Sequence, residues 1–429
     1  MRFFADLHVH SYYSRATSKQ GNIDGLYLWA SKKGIKVVGT GDFTHPGWLS
    51  ELEAGLEETE PGLYMPKNAG ELDAQLPEAC QLRPRFLLSV EISSIYKKAG
   101  RVRKVHTVIL MPDLASARGF HEALDRLGNV RSDGRPILGL DPKELLKIAR
   151  SINDDCEIIP AHIWTPWFST LGAKSGFDAL EECFEEEIEH IHALETGLSS
   201  DPTMNYRVSA LDRYTLISNS DAHSPAKLGR EANILDTDLS YHSIVRAIRN
   251  PVQGFVGTVE FYPEEGKYHF DGHRKCGVVL TPAQAVSNGG LCPVCGRPLT
   301  MGVMHRVIEL ADRDYGQRPD GKPLELHQIP LTEVLGELNG VGPQSKRVAM
   351  AYERLLAASG PELPLLLDLP QEGIEEVTPT LVQAIRRIRQ GHVYKQPGYD
   401  GVFGRIRVFA PGELEKLRGH NSPVKGGAK

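Results

Sequence analysis

Two histidines one residue apart, His8 and His10, close the opening apolar run Arg2-Phe3-Phe4-Ala5-Asp6-Leu7. Along an extended chain, residues i and i+2 project to the same side. Both imidazoles therefore face one point at the C-terminal end of a predicted strand, as a pair of nitrogen ligands on one metal ion requires. Later predicted strands deliver the same kinds of side chain. Ile35 to Gly41 leads to Asp42 and His45, and Phe86 to Val90 leads to Glu91, a carboxylate able to bridge two cations. Cys156 to Ala161 leads to His162, Ile191 to Leu194 leads to Glu195, and Thr215 to Ser220 leads to Asp221 and His223, a further i, i+2 pair. His106 departs from the pattern, lying near the start of the predicted strand Val105 to Leu110, where a core histidine is the plainer reading. One such residue is usually structural. Burying the whole set without a cation would carry a severe polar cost, so its convergence points to a multinuclear hydrolytic metal site.

The connecting segments can be read in two ways. Ser11 to Lys19 is either a solvated loop or a phosphate-gripping one, with Lys19 adding charge and Arg15 offering a bidentate fork to a phosphodiester. Trp164, Trp167 and Phe168 share one loop. They either pack on the rim of the fold or act as stacking platforms for bases, a contact worth about 1–3 kcal/mol each. The acidic run from Glu181 to Glu187 reads as a solvated helix face.

The elements that must position these residues are strands alternating with helical segments. One helix is expected from Ile23 to about Lys33, stopped by Gly34. Ligand-type side chains gathered at strand ends describe an α/β barrel with its site on one face. At 429 residues, two or three domains are expected. A hydrophobic fraction of 41% and a charged fraction of 24% are ordinary for a soluble chain, and no apolar run is long enough to span a bilayer. The chain enters directly into a strand, so no cleaved signal is expected and the location is read as cytoplasmic. A net charge of -6 argues against wrapping nucleic acid with the whole surface and leaves room for a local basic patch. Cys80, Cys156 and Cys183 are scattered and read as reduced and buried.

The His8-x-His10 pair, Asp42 with His45, Glu91, His106, His162 and Asp221-x-His223, in that order, resemble the PHP (polymerase and histidinol phosphatase) family over roughly residues 1 to 255. The resemblance implies a distorted seven-stranded (β/α) barrel, up to three metal ions (Zn, Mn or Mg) and hydrolysis of phosphate esters. It implies that His8, His10, Glu91 and Asp221 hold one ion, and that Glu91 bridges to a second held by His106 and His162. His45 and His223, with an acid, would hold a third. Two departures bear on that third site: Asp42 and His45 are separated by two residues where many members have them adjacent, and Arg15 stands where many have an acid.

Beyond Pro251 the composition shifts. His273-x-x-Cys276 and Cys292-Pro-x-Cys295-Gly are two knuckles at zinc-ribbon spacing, giving a closed HisCys3 site for one structural zinc. His269 or His305 are the alternatives for the fourth ligand. Four protein ligands leave no open position, and so small a module depends on its metal to fold. From about Val307 the pattern is helical. Leu331 to Leu338, the turn Gly340-Val341-Gly342, and a second helix with Lys346 and Arg347 look like a helix-hairpin-helix, whose glycines let backbone N–H groups approach a phosphate. An ordinary helical connection is the other reading. A basic helix face is expected from Thr378 to Arg389, and a disordered tail over 419–429.

The expected organisation is a barrel over 1–255, a zinc-binding module over 256–306, a helical DNA-binding region over 307–418 and the tail. That order resembles DNA-repair nucleases of the PHP family. The resemblance implies a monomeric metal-dependent endonuclease that cuts 5′ to deaminated bases (hypoxanthine, uracil, xanthine) or abasic sites by a multinuclear metal-hydroxide mechanism, with His8, His10, Glu91, His162, Asp221 and Arg15 at the chemistry. Base flipping would bring Trp164 and Trp167 near the damaged nucleotide. The rivals are a phosphoesterase acting on a small phosphate ester or nucleotide, which needs neither the module nor the helical end, and a non-catalytic DNA-binding protein, which would be expected to have shed ligands.

Overall fold

A computed structural model of the chain describes residues 1–368 and 378–420. Its centre is a mixed sheet. Strands β1 (Arg2–Asp6), β2 (Ile35–Gly39) and β3 (Arg85–Lys98) run parallel to one another. β3 then folds back as a long antiparallel hairpin with β4 (Arg101–Met111), and β4 pairs antiparallel with β5 (Glu157–Pro160). Beyond β5, the Ile163 N–H donates to the Glu195 carbonyl at the end of β6 (Ala193–Glu195), which lies parallel to β7 (Thr215–Ile217). After β7, the His10 N–H donates to the Ala222 carbonyl, and Val9 bridges Ala222. The pairings thus pass through seven strands and return to the segment after β1. On its other edge β1 pairs antiparallel with β8 (Ala232–Asp236), followed by β9 (Phe255–Glu260) and β10 (Leu324–His327).

Side-chain alternation sorts the core. Phe3, Ala5 and Leu7 enter one apolar cluster with Val37, Leu87, Val108, Ile159 and Ile217, and Phe4 faces another. The helix Tyr241–Arg249 joins the first cluster through Tyr241, Ile244, Val245 and Ile248. This plug fills the circuit up to Leu7, and His8 and His10 begin its polar end. The helix expected from Ile23 is found at Ile23–Lys33: the Asn22 side chain accepts the Gly25 N–H, and Gly34 closes the helix at φ +89°.

Two strands differ from expectation in a way that matters for the site. β3 continues through Lys98, so Glu91 projects from mid-strand. β4 runs antiparallel to β3, so a residue in its first half sits at the same end of the sheet as residues that finish parallel strands. His106, expected near the start of its strand, stands at mid-strand opposite Ser93, and so reaches the site beside Glu91. The boundary expected at 255 falls at the start of β9, which belongs to the central sheet. The chain leaves the sheet after Glu260, builds the cysteine module, and rejoins it at β10.

The C-terminal helices Leu331–Asn339, Lys346–Ser359, Glu362–Leu367 and Pro379–Arg389 have a core of their own, including Val334, Val348, Tyr352, Leu356, Ile385 and Phe409. Two arginines of the expected basic face are spent on packing: Arg387 binds Glu413, and Arg389 donates to the carbonyls of Leu365 and Leu366. The last helix, Glu413–His420, includes the first two residues of the expected tail, and 421–429 lie outside the described residues. No helix among the described residues is long and apolar enough to cross a membrane.

A buried ion pair joins the two cores. Lys33 Nζ lies 2.6 Å from Glu362 Oε2, with side chains 4% and 1% exposed. Glu362 also accepts the Leu331 N–H and the Tyr352 hydroxyl. Removing one partner of such a pair strands the other charge, at about 3–5 kcal/mol. Lys33→Met and Glu362→Gln are each expected to lose stability on that scale in denaturant melts. The double variant is neutral, and its glutamine can accept the Leu331 N–H on oxygen and donate its amide to the Tyr352 hydroxyl oxygen; it should recover most of the loss, and additive losses would remove the pair from this role.

Candidate metal centre

Glu91, 1% exposed, stands at the middle of four imidazoles. Its Oε2 is 3.5 Å from His8 Nε2 and 3.3 Å from His10 Nε2. Its Oε1 is 2.5 Å from His106 Nδ1 and 3.0 Å from His162 Nε2. Asp221 completes the first side, with Oδ1 3.0 Å from His10 Nε2 and 3.8 Å from His8 Nε2. Two ligand groups result, His8–His10–Glu91–Asp221 and Glu91–His106–His162, sharing the two oxygens of one carboxylate. Burial alone would raise the Glu91 carboxyl, but His106, His8 and Arg135 hold it well below the usual carboxylate range. Burial pushes His106 down to about 4, keeping the imidazole neutral as a metal ligand requires.

The outer atom of each imidazole is anchored by protein. His8 Nδ1 is 3.0 Å from Glu195 Oε1, His10 Nδ1 is 3.0 Å from Asp42 Oδ1, His106 Nε2 is 3.1 Å from Ser93 Oγ, and His162 Nδ1 is 3.1 Å from Thr165 Oγ1. Such contacts fix tautomer and ring orientation. The inner atoms are the reverse case. His8 Nε2, His10 Nε2 and Asp221 Oδ1 are buried and have no hydrogen-bond partner. Buried polar atoms are rarely left so, and here they converge on the space a divalent cation would fill. The surrounding backbone is strained to match: Asp42, His162 and Asp221 have φ of +54°, +30° and +46°, conformations that cost about 1–3 kcal/mol each and cluster at functional sites. Gly197 makes room for one of them, since a Cβ there would sit 2.3 Å from the His162 Cβ.

Not every expected residue joins the centre. Asp42 supports His10 and accepts the Ser11 N–H and hydroxyl, so both of its oxygens are taken. His45 caps the helix Pro46–Gly55 through Nδ1, and its Nε2 meets the Arg131 carbonyl at 2.9 Å. With both nitrogens engaged it does not reach His223, whose ring lies against His10 at 4.6 Å. The third ligand set is therefore not assembled. Trp164 is fully buried and gives its indole N–H to Asn205, which removes it as a stacking platform. Trp167 is 40% exposed, edge-on to Tyr268, and Phe168 packs on His106. Arg15 is mostly exposed and lies 3.4 Å from Asp133, and Lys19 is exposed.

Two further residues stand at the centre: Glu195, expected only as a strand-end acid, and Arg135, which nothing in the sequence marks. Glu195 takes the His8 ring, the His162 N–H and the Asn219 amide at once; its place at a strand end was the available signal. Arg135, 28% exposed, lies 3.1 Å from Glu91 Oε2. It comes from an irregular loop, and no periodicity marks it.

In the module, His273, Cys276, Cys292 and Cys295 bring their ligand atoms within 4.8 Å of one another. Of the alternatives, His305 is bound to Asp271, and His269 is buried outside this group. Each knuckle closes on a glycine in left-handed conformation, Gly277 at φ +64° and Gly296 at +68°, which a side chain would resist. In the C-terminal region, Gly340 to Gln344 form an exposed connection between two helices, with Lys346 and Arg347 exposed beside it and Ser345 capping the second helix.

A family model described as the MJ0043 C-terminal domain matches residues 330–392. The MJ0043 protein of Methanocaldococcus jannaschii is 30% identical over 263 residues, 59% of this chain and 32% of that one. The uncharacterized protein YqxK of Bacillus subtilis is 30% identical over 421 residues, covering 95% of this chain and 99% of its own. Among solved structures, the lesion-specific endonuclease PfuEndoQ from Pyrococcus furiosus superimposes with a TM-score of 0.83 at 32% identity, over 97% of each chain. The chain belongs to the endonuclease Q family. An endonuclease Q structure in complex with a 27-mer duplex carrying an abasic lesion matches at TM-score 0.81 and 32% identity, over 96% of this chain and 98% of that one. Membership makes the chain a metal-dependent hydrolase of the nuclease class, and the two groups sharing Glu91 are its metal-binding candidates.

Glu91→Gln should break both groups together, because one oxygen serves each. Metal analysis of the purified variant is expected to show loss of every ion bound at this centre, with thiol-bound zinc retained; retention of one ion there would show that Glu91 does not bridge.

Proposed function

We propose that the chain is a DNA-repair endonuclease that hydrolyses the phosphodiester on the 5′ side of a deaminated base (hypoxanthine, uracil, xanthine) or an abasic site. The observation that carries this reading is likeness along nearly the whole length to a lesion-specific endonuclease, joined to a buried His–Glu–Asp set in which His8 Nε2, His10 Nε2 and Asp221 Oδ1 lack partners. The seven-strand circuit is read as a distorted PHP barrel, the cysteine module as a structural zinc site, and the C-terminal helices as a DNA-holding region with a helix-hairpin-helix at Gly340 to Arg347.

In this reading His8, His10 and Asp221 hold one divalent ion and His106 and His162 a second, with Glu91 serving both. When bound, such ions supply Lewis-acid charge at the phosphate and a nucleophilic water at neutral pH. The protein's part is orientation. Glu195 and Asp42 fix the two leading imidazoles, and Arg135 enters beside Glu91 with a fork suited to a non-bridging phosphate oxygen. Water adds to phosphorus, the bond to the 3′ oxygen breaks, and the products carry a 3′-hydroxyl and a 5′-phosphate. Trp167, exposed near the His162 loop, is the aromatic left for stacking on a displaced base, and Arg15 and Lys19 stand ready for backbone phosphates.

The test uses end-labelled duplexes bearing inosine, uracil, an abasic site or no lesion, with and without chelator. A lesion-dependent, chelator-sensitive cut on the 5′ side, absent in His8→Ala, is expected. Uncut DNA after metal reloading, with turnover of a chromogenic phosphomonoester, would replace this reading with the small-phosphate one. Separately, Arg135→Lys should lower kcat about 10- to 100-fold while metal content is unchanged, since a point charge replaces a fork. A loss of metal in parallel with activity would instead give Arg135 a role in holding the ligands.

A further inference from the structure

The spacing rule that marks His8 and His10 recurs at the far edge of the sheet. On β10, Glu325 and His327 are an i, i+2 pair, and the strand lies parallel to β9 with His327 opposite Glu260. Asp201, which caps the short helix Pro202–Asn205, meets them from another part of the chain. One ligand atom from each of the three lies within 4.8 Å of the others. Asp201 Oδ2 is 3.4 Å and Glu325 Oε1 3.8 Å from His327 Nε2, and the two carboxylate side chains are 11% and 6% exposed.

The division of labour within each side chain matches that at His8 and His10, where one atom is anchored and the other is not. Asp201 Oδ1 accepts the Met204 N–H at 2.7 Å, and Glu325 Oε2 accepts the Thr203 hydroxyl at 2.9 Å. Each carboxylate therefore has one oxygen anchored and one turned toward His327. The Tyr262 ring stacks on the imidazole at 4.9 Å and 26°, fixing its plane. His327 Nε2, toward which both free oxygens point, is buried and makes no hydrogen bond.

Charge separates an ion site from a plain ion triad. Glu260, fully buried and opposite His327, is held by the hydroxyls of Ser218 and Thr196. Burial and the Glu325 carboxylate push it up to about 8. Against Asp201 and Glu325 the neighbouring cations are Arg318, 3.8 Å from Glu325, and Lys395, whose charge acts on Asp201. An imidazolium at His327 would supply one positive charge to two buried carboxylates. A second buried imidazole, His269, is 4% exposed with Nδ1 unpartnered; burial lowers its pKa, and it lies in the field of Glu264 and Asp201. Two buried carboxylates, each with one oxygen turned toward a buried imidazole nitrogen that makes no hydrogen bond, leave a place for a cation.

We propose that Asp201, Glu325 and His327 hold one divalent first-row transition ion, separate from the Glu91 centre and from the cysteine module. One imidazole nitrogen with two carboxylate oxygens favours zinc or manganese over calcium or magnesium, which take oxygen ligands. The ion ties the segment at Asp201 to the strand by which the chain rejoins the sheet after the module. Its role is a staple across that junction, and it does not rest on the nuclease reading.

The experiment uses full-length protein stripped with chelator, reloaded with zinc or manganese, desalted and analysed for metal by mass spectrometry. Asp201→Asn keeps the oxygen that caps Pro202–Asn205, and His327→Lys keeps a positive charge while removing the ligand. Each is expected to bind one equivalent less than wild type, and the loss should add to that of Glu91→Gln. Chelation should lower the melting temperature of wild type more than that of His327→Lys. Equal metal content in wild type and folded Asp201→Asn would overturn the proposal. So would a His327→Lys protein that melts as wild type does with and without chelator, since a lysine satisfies an ion triad but not a metal.

Discussion

Glu91, a carboxylate buried to 1% exposure and held ionised, has positive or metal-ligand groups at both of its oxygens at the centre of the fold. The surrounding architecture follows from placing those groups. β3 must carry Glu91 from mid-strand, so that chains on either side can reach it. The β1 side brings His8 and His10 to one oxygen, and β4 and the segment after β5 bring His106 and His162 to the other. His106 lies at the middle of β4, opposite Ser93 and two residues along from Glu91, and the hairpin departs from simple strand–helix alternation.

The circuit is held closed where its backbone pairing is weakest. β6 and β7 have three residues each, too few for a ladder to be secure by itself. Side chains supplement it. Glu195 joins the His8 ring, the His162 N–H and Asn219, Asn219 accepts the Leu7 N–H and the Asn233 amide, and Asp6 accepts the N–H groups of Ser220 and Gly229. These contacts link the first strand to segments more than two hundred residues away. The groups that orient the ligands are thus the same groups that close the fold, and ligand geometry is inseparable from fold integrity.

How much of this was legible in sequence depends on whether the signal is local. The helix Ile23–Lys33 carried its own start and stop in Asn22 and Gly34, and i, i+2 spacing put His8 with His10 correctly because a strand fixes that geometry. That Glu91, His106, His162 and Asp221 come together was legible, although the direction of β4 was not, since an antiparallel return leaves no mark on the residues themselves. His45 was misplaced because its nitrogens are consumed by a helix cap and a carbonyl from a distant loop, partners that only tertiary structure supplies. Trp164 was misplaced for the same reason: a loop tryptophan reads as exposed until Asn205 arrives to accept its N–H. Arg135 and the Glu325–His327 pair carry no such local signal: the first stands in an irregular loop, and the second lies on a four-residue strand whose partner β9 precedes the cysteine module.

Formal charge is a poor guide to what this surface offers a polyanion. The count of -6 treats every carboxyl as a solvated anion, yet a large share of the acids are inside. Burial pushes Asp6 up to about 6 and, with Glu325, Glu260 to about 8; burial and the neighbouring Glu260 hold Glu231 well above the usual range. The shifts at Glu231 and Glu260 favour the protonated form. Glu91 and Asp221 stay ionised, but they face inward onto imidazoles and Arg135 rather than outward. Interior charge that is protonated or paired sends little field into solvent. The exposed cations Arg15, Lys19, Lys346 and Arg347 stand on loops and helix starts, where backbone N–H groups add to them. A chain acidic by composition is thereby less acidic at the faces where phosphate would approach, and its negative charge is concentrated where a metal ion needs it.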